Sequence, residues 1–211
     1  MKRNLHGGLF IVFEGLDGSG QSTQAKLLEE YFKWLRVPTL LTKEPTQWTM
    51  AGKEIEKVLD EKIVIEPLKF QKLFARDRAQ HLKDEIIPAL KQGKMVICDR
   101  YAFSSMAYGG LDTSISKLVI LNSKFICPNR VFFLKVSPVE CLRRIEDRGE
   151  GIKFFEKSEK LKKVAANYEC VAKRFGLVFN VIDGERRIEE IHHEIVSNLK
   201  TFFYGRGIGL L

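Results

Sequence analysis

Hydrophobic positions along the 211-residue chain fall into two alternating patterns. Short runs, nearly continuous in apolar residues, occur at Leu9–Phe13, Thr39–Thr42, Met95–Cys98, Val131–Val136 and Leu177–Ile182. Runs of that length predict parallel strands covered on both faces. Between them, apolar residues recur at helical spacing. Leu27, Leu28, Tyr31, Phe32 and Leu35 give Ser22–Leu35 one apolar stripe. Pro67–Gln92 carries Leu68, Leu73, Phe74, Ile86, Ile87 and Leu90, with Pro88 placed to kink it. Val139–Asp147, Phe155–Phe175 and Ile188–Phe203 complete the helical set. This alternation predicts an α/β fold, a five-stranded parallel sheet with helices on both faces and right-handed crossovers. Residues 1–211 read as one domain, with a lid segment over about 144–156.

Composition narrows the picture. At 45% hydrophobic and 29% charged, with 6 Pro and 16 Gly, the chain is neither disordered nor a linker. No apolar run approaches the roughly 18 residues of a membrane helix. The basic, then apolar, start at Met1–Gly15 imitates a signal peptide, but its apolar stretch is too short for one. The expected location is the cytoplasm. Cys98, Cys127, Cys141 and Cys170 match no zinc or redox spacing, and reduced thiols are expected, three of them buried. A formal charge of +8 spread over both halves points to phosphate in some form.

The first strand runs into Gly15-Leu16-Asp17-Gly18-Ser19-Gly20-Gln21-Ser22-Thr23 and then a helix. That is the spacing of a phosphate loop, G-x-x-x-x-G-K-S/T, with Gln21 at the lysine position. Glycines let backbone N–H groups turn inward, and the helix N-terminus adds a positive dipole end. Ser22 is the candidate to place a hydroxyl on Mg2+. Gln21 donates hydrogen bonds but brings no charge.

Three further segments fall at the carboxyl ends of strands, where open α/β sheets bind ligands. They are Lys43-Glu44-Pro45, the helical stretch Phe74 to His81, and Asp99-Arg100-Tyr101 followed by Ser104, Ser105 and Tyr108. Phe74 and Arg78, four apart on a helix, share a face: an aromatic plate beside a fork of donors. Asp99 sits where a carboxylate holds Mg2+ through water. Together with the loop, these segments resemble the thymidylate kinase family. The matches run in family order from about residue 9 to residue 184 and include Phe-Ala-x-Asp-Arg-Ala-Gln-His, Asp-Arg-Tyr and Ser-x-x-Ala-Tyr.

The resemblance implies a P-loop nucleoside monophosphate kinase-like fold and transfer of phosphate from ATP to dTMP with Mg2+, in a homodimer. Nucleic acid and membrane are not implied as partners. By similarity, Phe74 stacks on thymine, Arg78 bonds its carbonyl and Ser105 faces its N3 edge. Asp17 holds the deoxyribose 3′-hydroxyl, and Tyr108 crowds the 2′ position. Arg100 grips the acceptor phosphate, and Glu44 helps order the loop beside it. Arg144 stacks on adenine, with Asp183-Gly184 bordering that pocket. Gly18 stands where some members carry a loop arginine, so the resemblance implies a clamp from the lid, Arg148, with Lys153 behind it. Arg148 is then expected to offset the charge that Gln21 lacks. Two alternatives stay open. One is a deoxynucleoside kinase using Glu44 as base, and the other is a nucleotide-binding protein with weak or no kinase activity.

Overall fold

The computed structural model describes residues 1–147, 149 and 158–205. In chain order the elements are β1 (Lys2–Arg3), β2 (Leu9–Gly15), α1 (Gln21–Trp34), β3 (Thr39–Lys43), α2 (Met50–Leu59), α3 (Pro67–His81), α4 (Ile87–Lys91) and β4 (Met95–Asp99). They continue with α5 (Ala102–Gly109), α6 (Ile115–Asn122), β5 (Ile126–Cys127), β6 (Arg130–Lys135), α7 (Pro138–Asp147), α8 (Ser158–Arg174), β7 (Phe179–Asp183) and α9 (Ile188–Tyr204). Five strands form one parallel sheet in the order β3-β4-β2-β6-β7, as the hydrophobic pattern predicts.

The central strand explains both layers. Along β2, Leu9, Ile11 and Phe13 face one side and Phe10 and Val12 the other, because side chains alternate across a strand. The first set packs on Leu28 and Phe32 of α1 and on Ile195, Leu199 and Phe203 of α9. The second packs on Ile86, Leu90, Tyr101, Phe103 and Met106. All of these side chains are at most 1% exposed except Leu9. A strand with no wet face must be covered twice, which forces the three-layer architecture.

The chain order places the site. From β2 the chain crosses by α1 to β3 and returns to β4, then passes to β6 on the other side of β2. The strand order therefore reverses at β2, and Gly15, Lys43 and Asp99 end three adjacent strands at one edge.

Several boundaries differ from the expected ones. The last strand begins at Phe179, not Leu177; Leu177 is 97% exposed, and the Val178 N–H closes a turn on the Phe175 carbonyl. The long Pro67–Gln92 segment contains a π-helical turn at Leu82–Ile86. Pro88 lacks an N–H and its ring crowds the carbonyl of Asp84, so the widened turn before it absorbs the misfit. Helices α2, α5 and α6 were not expected: α5 is apolar nearly all round and offers no periodic signal. The parallel pair β1 with β5 was not expected either, being only two residues long on each side. Phe155–Lys157 lie outside the described residues, and α8 starts at Ser158. All four cysteines are free, but only Cys98 and Cys141 are buried; Cys127 is half-buried at a short edge strand and Cys170 is exposed on α8.

Phe132 is fully buried on β6 and its ring lies 5.5 Å from that of Phe13. Phe132→Ala is expected to destabilise by about 3–5 kcal/mol, read from the urea midpoint, because neighbours pinned in a sheet cannot collapse into the void.

Candidate active site

The loop after β2 is shaped by its glycines. Gly18 and Gly20 adopt φ of 85° and 91°, a conformation that side chains resist. Gly20 precedes α1, whose N-terminus has no side-chain cap and no acidic residue in its first turn. Its N–H groups are thus left for an anion. Leu16 is 2% exposed and plugs the core under the loop rather than facing the cleft. Ser19 is buried, whereas Thr23 and Ser22 line the cleft with Gly18, Gly20 and Gln21.

Asp99 ends β4 opposite this loop. Its Oδ2 accepts from Ser22 Oγ at 2.5 Å and lies 3.5 Å from Lys43 Nζ. Its Oδ1 is buried and has no hydrogen-bond partner among the described residues. An orphaned carboxylate oxygen beside a hydroxyl is the donor chemistry of a hard divalent cation. No group of at least 3 His, Cys, Asp or Glu could hold a metal among the described residues. A cation here would therefore take most of its ligands from phosphate and water.

Arg100 follows Asp99 with a left-handed backbone, φ 70°, and its N–H bonds the Phe13 carbonyl at 2.9 Å. Strain of this kind persists where surroundings over-determine it. Here it turns the side chain back across β2 toward the loop. The guanidinium donates to the Gly15 carbonyl at 2.9 Å, to Asp17 Oδ1 at 2.7 Å and to Ser104 Oγ at 3.2 Å. Burial works against its charge, and the neighbouring Tyr108 and Asp17 outweigh that cost.

The same cleft, of about 580 Å³, is lined on its far side by Phe74, Arg78, Ser105 and Tyr108. Phe74 is half-buried at its wall, its ring 5.0 Å from Phe70. Tyr108 donates to Asp17 Oδ2 at 2.8 Å and accepts from the Asp17 N–H at 3.0 Å, so the two residues form one wall. Arg78 is 1% exposed, between the rings of Tyr101 and Phe125. It donates to Glu44 Oε2 at 2.7 Å, Asn122 Oδ1 at 2.5 Å and Ser105 Oγ at 3.0 Å. A guanidinium has five N–H donors, so two remain for a base carbonyl.

Glu44 lines the cleft between Lys43 and Pro45. Its carboxylate is buried, with one oxygen on Arg78 and the other 3.2 Å from His81 Nδ1. It holds Arg78 and His81 together at the cleft wall. His81 meets Glu44, Glu85 and Thr42; burial lowers its pKa, but the two glutamates outweigh this and the net shift is upward. Asp77 is also buried and accepts from Thr46 and Thr49, fixing the turn into α2. Arg144 bonds Glu140 at 2.7 Å and the Gly184 carbonyl at 3.0 Å, which joins α7 to the segment after β7. Arg148 and Lys153 lie outside the described residues; Gly149, at φ 68°, ends the described part of α7's exit.

Sequence reasoning missed a second layer behind Arg100. Glu14 is fully buried and accepts from the Tyr101 N–H at 2.9 Å, Ser104 Oγ at 2.5 Å and Tyr168 Oη at 2.9 Å. The one available signal was a carboxylate inside an otherwise apolar strand. Burial pushes this carboxyl up to about 7, against the hydrogen bond from Ser104, the charge of Arg100 and the Tyr168 hydroxyl.

A phosphate loop at the strand-order reversal, opening on a cleft that runs to Phe74, Arg78 and Ser105, defines a P-loop nucleoside monophosphate kinase-like class of protein. The thymidylate kinase family pattern matches residues 13–195. The chain belongs to the thymidylate kinase family. A probable thymidylate kinase of Pyrococcus horikoshii is 43% identical over 206 residues, which span 94% of this chain and 98% of that one. The thymidylate kinase of Caldanaerobacter subterraneus is 35% identical, again over 94% of this chain and 98% of its own length. The crystal structure of thymidylate kinase from Ehrlichia chaffeensis is 28% identical with a TM-score of 0.72, covering 92% of this chain and 98% of that chain.

A raised Glu14 gives stability that is full below about pH 4.5 and is lost as pH rises through about 7. Urea midpoints are expected to fall between pH 5 and 8 by the equivalent of roughly 2 kcal/mol. Glu14→Gln keeps Oε1 for the amides and lets its NH2 meet the hydroxyls; its own slope is expected to be flatter by that amount.

Proposed function

We propose that the chain transfers the terminal phosphoryl group of ATP to dTMP, forming dTDP and ADP, with Mg2+ bound between Ser22, Asp99 and the phosphates. The observation that carries this reading is the facing of two prepared halves across one cleft. The loop and α1 N-terminus receive a polyphosphate, while Phe74, Arg78 and Ser105 receive a base, with Arg100 between them. In the reaction a phosphate oxygen of dTMP forms a new P–O bond as the bond to the ADP oxygen breaks. That acceptor is already ionised, so alignment and charge neutralisation suffice. Asp17 and Tyr108 orient the sugar, and Arg144 with Gly184 borders the adenine. Mg2+, when bound, would spread the charge of the transferred group.

A deoxynucleoside kinase needs a base for a neutral 5′-hydroxyl. Glu44 cannot serve, because both of its oxygens are engaged in a buried network. The reading also includes a homodimer and a cytoplasmic setting; free thiols among the described residues fit a reducing compartment. No described helix is long and apolar enough to cross a membrane.

ADP release is expected with ATP and dTMP together, and neither with thymidine alone as acceptor nor with ATP alone. Activity confined to thymidine would refute the reading. Phe74→Ala is expected to raise KM for dTMP about tenfold, since base stacking is worth about 1–3 kcal/mol. Asp99→Asn is expected to lower kcat by about 100-fold and raise the Mg2+ concentration for half-maximal rate, followed in steady-state assays with varied Mg2+.

A further inference from the structure

Gln71 lies on α3 at helical spacing from Phe74 and Arg78, so the three share one helix face. It lines the cleft with them, yet it is only 5% exposed. Its amide oxygen is buried and meets no hydrogen-bond donor among the described residues. Buried polar atoms are paired as a rule, and an orphaned acceptor in a cleft wall points to a donor that arrives with a ligand. A side chain needed only to fill this space would be leucine or methionine, which leave no oxygen unpaired.

The neighbouring helix is shaped to admit the amide. A Cβ at Gly109 would stand 2.6 Å from the amide carbon of Gln71 and 2.8 Å from both its oxygen and its nitrogen. The amide therefore lies against bare glycine backbone. Gly109 follows Ser105 by one turn of α5, and Ser105 Oγ accepts from Arg78 at 3.0 Å. Helices α3 and α5 thus present an arginine paired with a hydroxyl and, one step along, an amide whose oxygen is unpaired.

The edge of a thymine or uracil ring runs acceptor, donor, acceptor: O4, N3–H and O2. Arg78 brings donors, and an amide brings one acceptor and one donor in a single plane. Resting on the proposed reaction, we infer that Gln71 reads the imide edge of the acceptor base. Its oxygen takes the N3–H beside Ser105 and its NH2 serves one flanking carbonyl, while Arg78 holds the other. Cytosine carries an amino group in place of O4 and a lone pair at N3. Arg78 would then face a donor, and the Gln71 oxygen would face an acceptor. Turning the amide over only moves the clash from N3 to O2. The amide therefore adds a second filter to Arg78 and sets the site for 4-oxo pyrimidines.

Calorimetric titration with nucleoside monophosphates, without ATP, reads this contact apart from the reaction. Gln71→Met, of similar length but without the amide, is expected to weaken dTMP and dUMP alike by about tenfold, the scale of one base-edge pair. Binding of dCMP, measured by competition with dTMP, is expected to change less than about twofold, so the preference for dTMP over dCMP narrows. The melting temperature is expected not to fall, since the orphaned oxygen is removed with the amide. Unchanged dTMP binding overturns the inference, and so does an equal loss for dTMP and dCMP, the mark of a merely structural role. Gly109→Ala leaves Gln71 in the chain but pushes its amide off the glycine backbone. It is expected to narrow the same preference, and an unaltered preference overturns the inference. Wild type that fails to bind dTMP overturns both the inference and the proposed reaction. Wild type that binds dTMP but releases no ADP with ATP refutes the reaction alone, and the titrations then still decide the role of Gln71.

Discussion

A buried cation must be matched from every side, and two arginines impose that constraint on this molecule. Arg100 and Arg78 both line the cleft floor, and each is held by a carboxylate and by aromatic faces. For Arg100 the partners are Asp17, the Gly15 carbonyl, Ser104 and the face of Tyr108, whose centroid lies 5.3 Å away. For Arg78 they are Glu44, Asn122, Ser105 and the faces of Tyr101 and Phe125. Removing a single partner from such a set leaves charge uncompensated in a dry place, which costs far more than a surface pair is worth. The elements that carry these partners are therefore held in register by the site as much as by the core.

The two sets are joined through α5 and the end of β4. Ser104, Ser105 and Tyr108 lie within one short helix: Ser104 faces Glu14 and Arg100, Ser105 faces Arg78, and Tyr108 faces Asp17. Tyr101, just before that helix, gives its N–H to Glu14 and its ring to Arg78. Four residues spaced along about two turns thus fix the distance between Arg100 and Arg78.

The sheet was legible because its signal is strong and local. Short apolar runs such as Phe10–Phe13 fit strands buried on both faces, and the alternation with helical stripes leaves few topologies. The loop, Phe74, Arg78, Asp99 and Arg100 were legible as well, since each belongs to a motif with fixed spacing. What stayed hidden depends on contacts far apart in sequence. Glu14 meets Tyr168 across 154 residues, and Arg78 meets Asn122 across 44. No periodicity marks either partner. The contacts of Glu44 were hidden for the same reason: its neighbours in sequence point to the loop, whereas its buried partners are Arg78 and His81. Helix α5 escaped because an all-round apolar helix has no stripe to read.

Position 21 shows how a motif departure is to be weighed. Taken alone, the change from lysine to glutamine removes a charge from the place where phosphate charge develops, and it reads as loss. Placed in the fold, it lies against a guanidinium that the left-handed backbone of residue 100 has already directed to the loop. Charge in a site is a property of the whole cluster, because neighbouring ionised groups share one field. Keeping the arginine and supplying it with an acceptor leaves the field positive and makes it steadier in position. Departures from a motif are thus informative in proportion to how well the neighbours that remain can be accounted for, and around residue 21 those neighbours are all named.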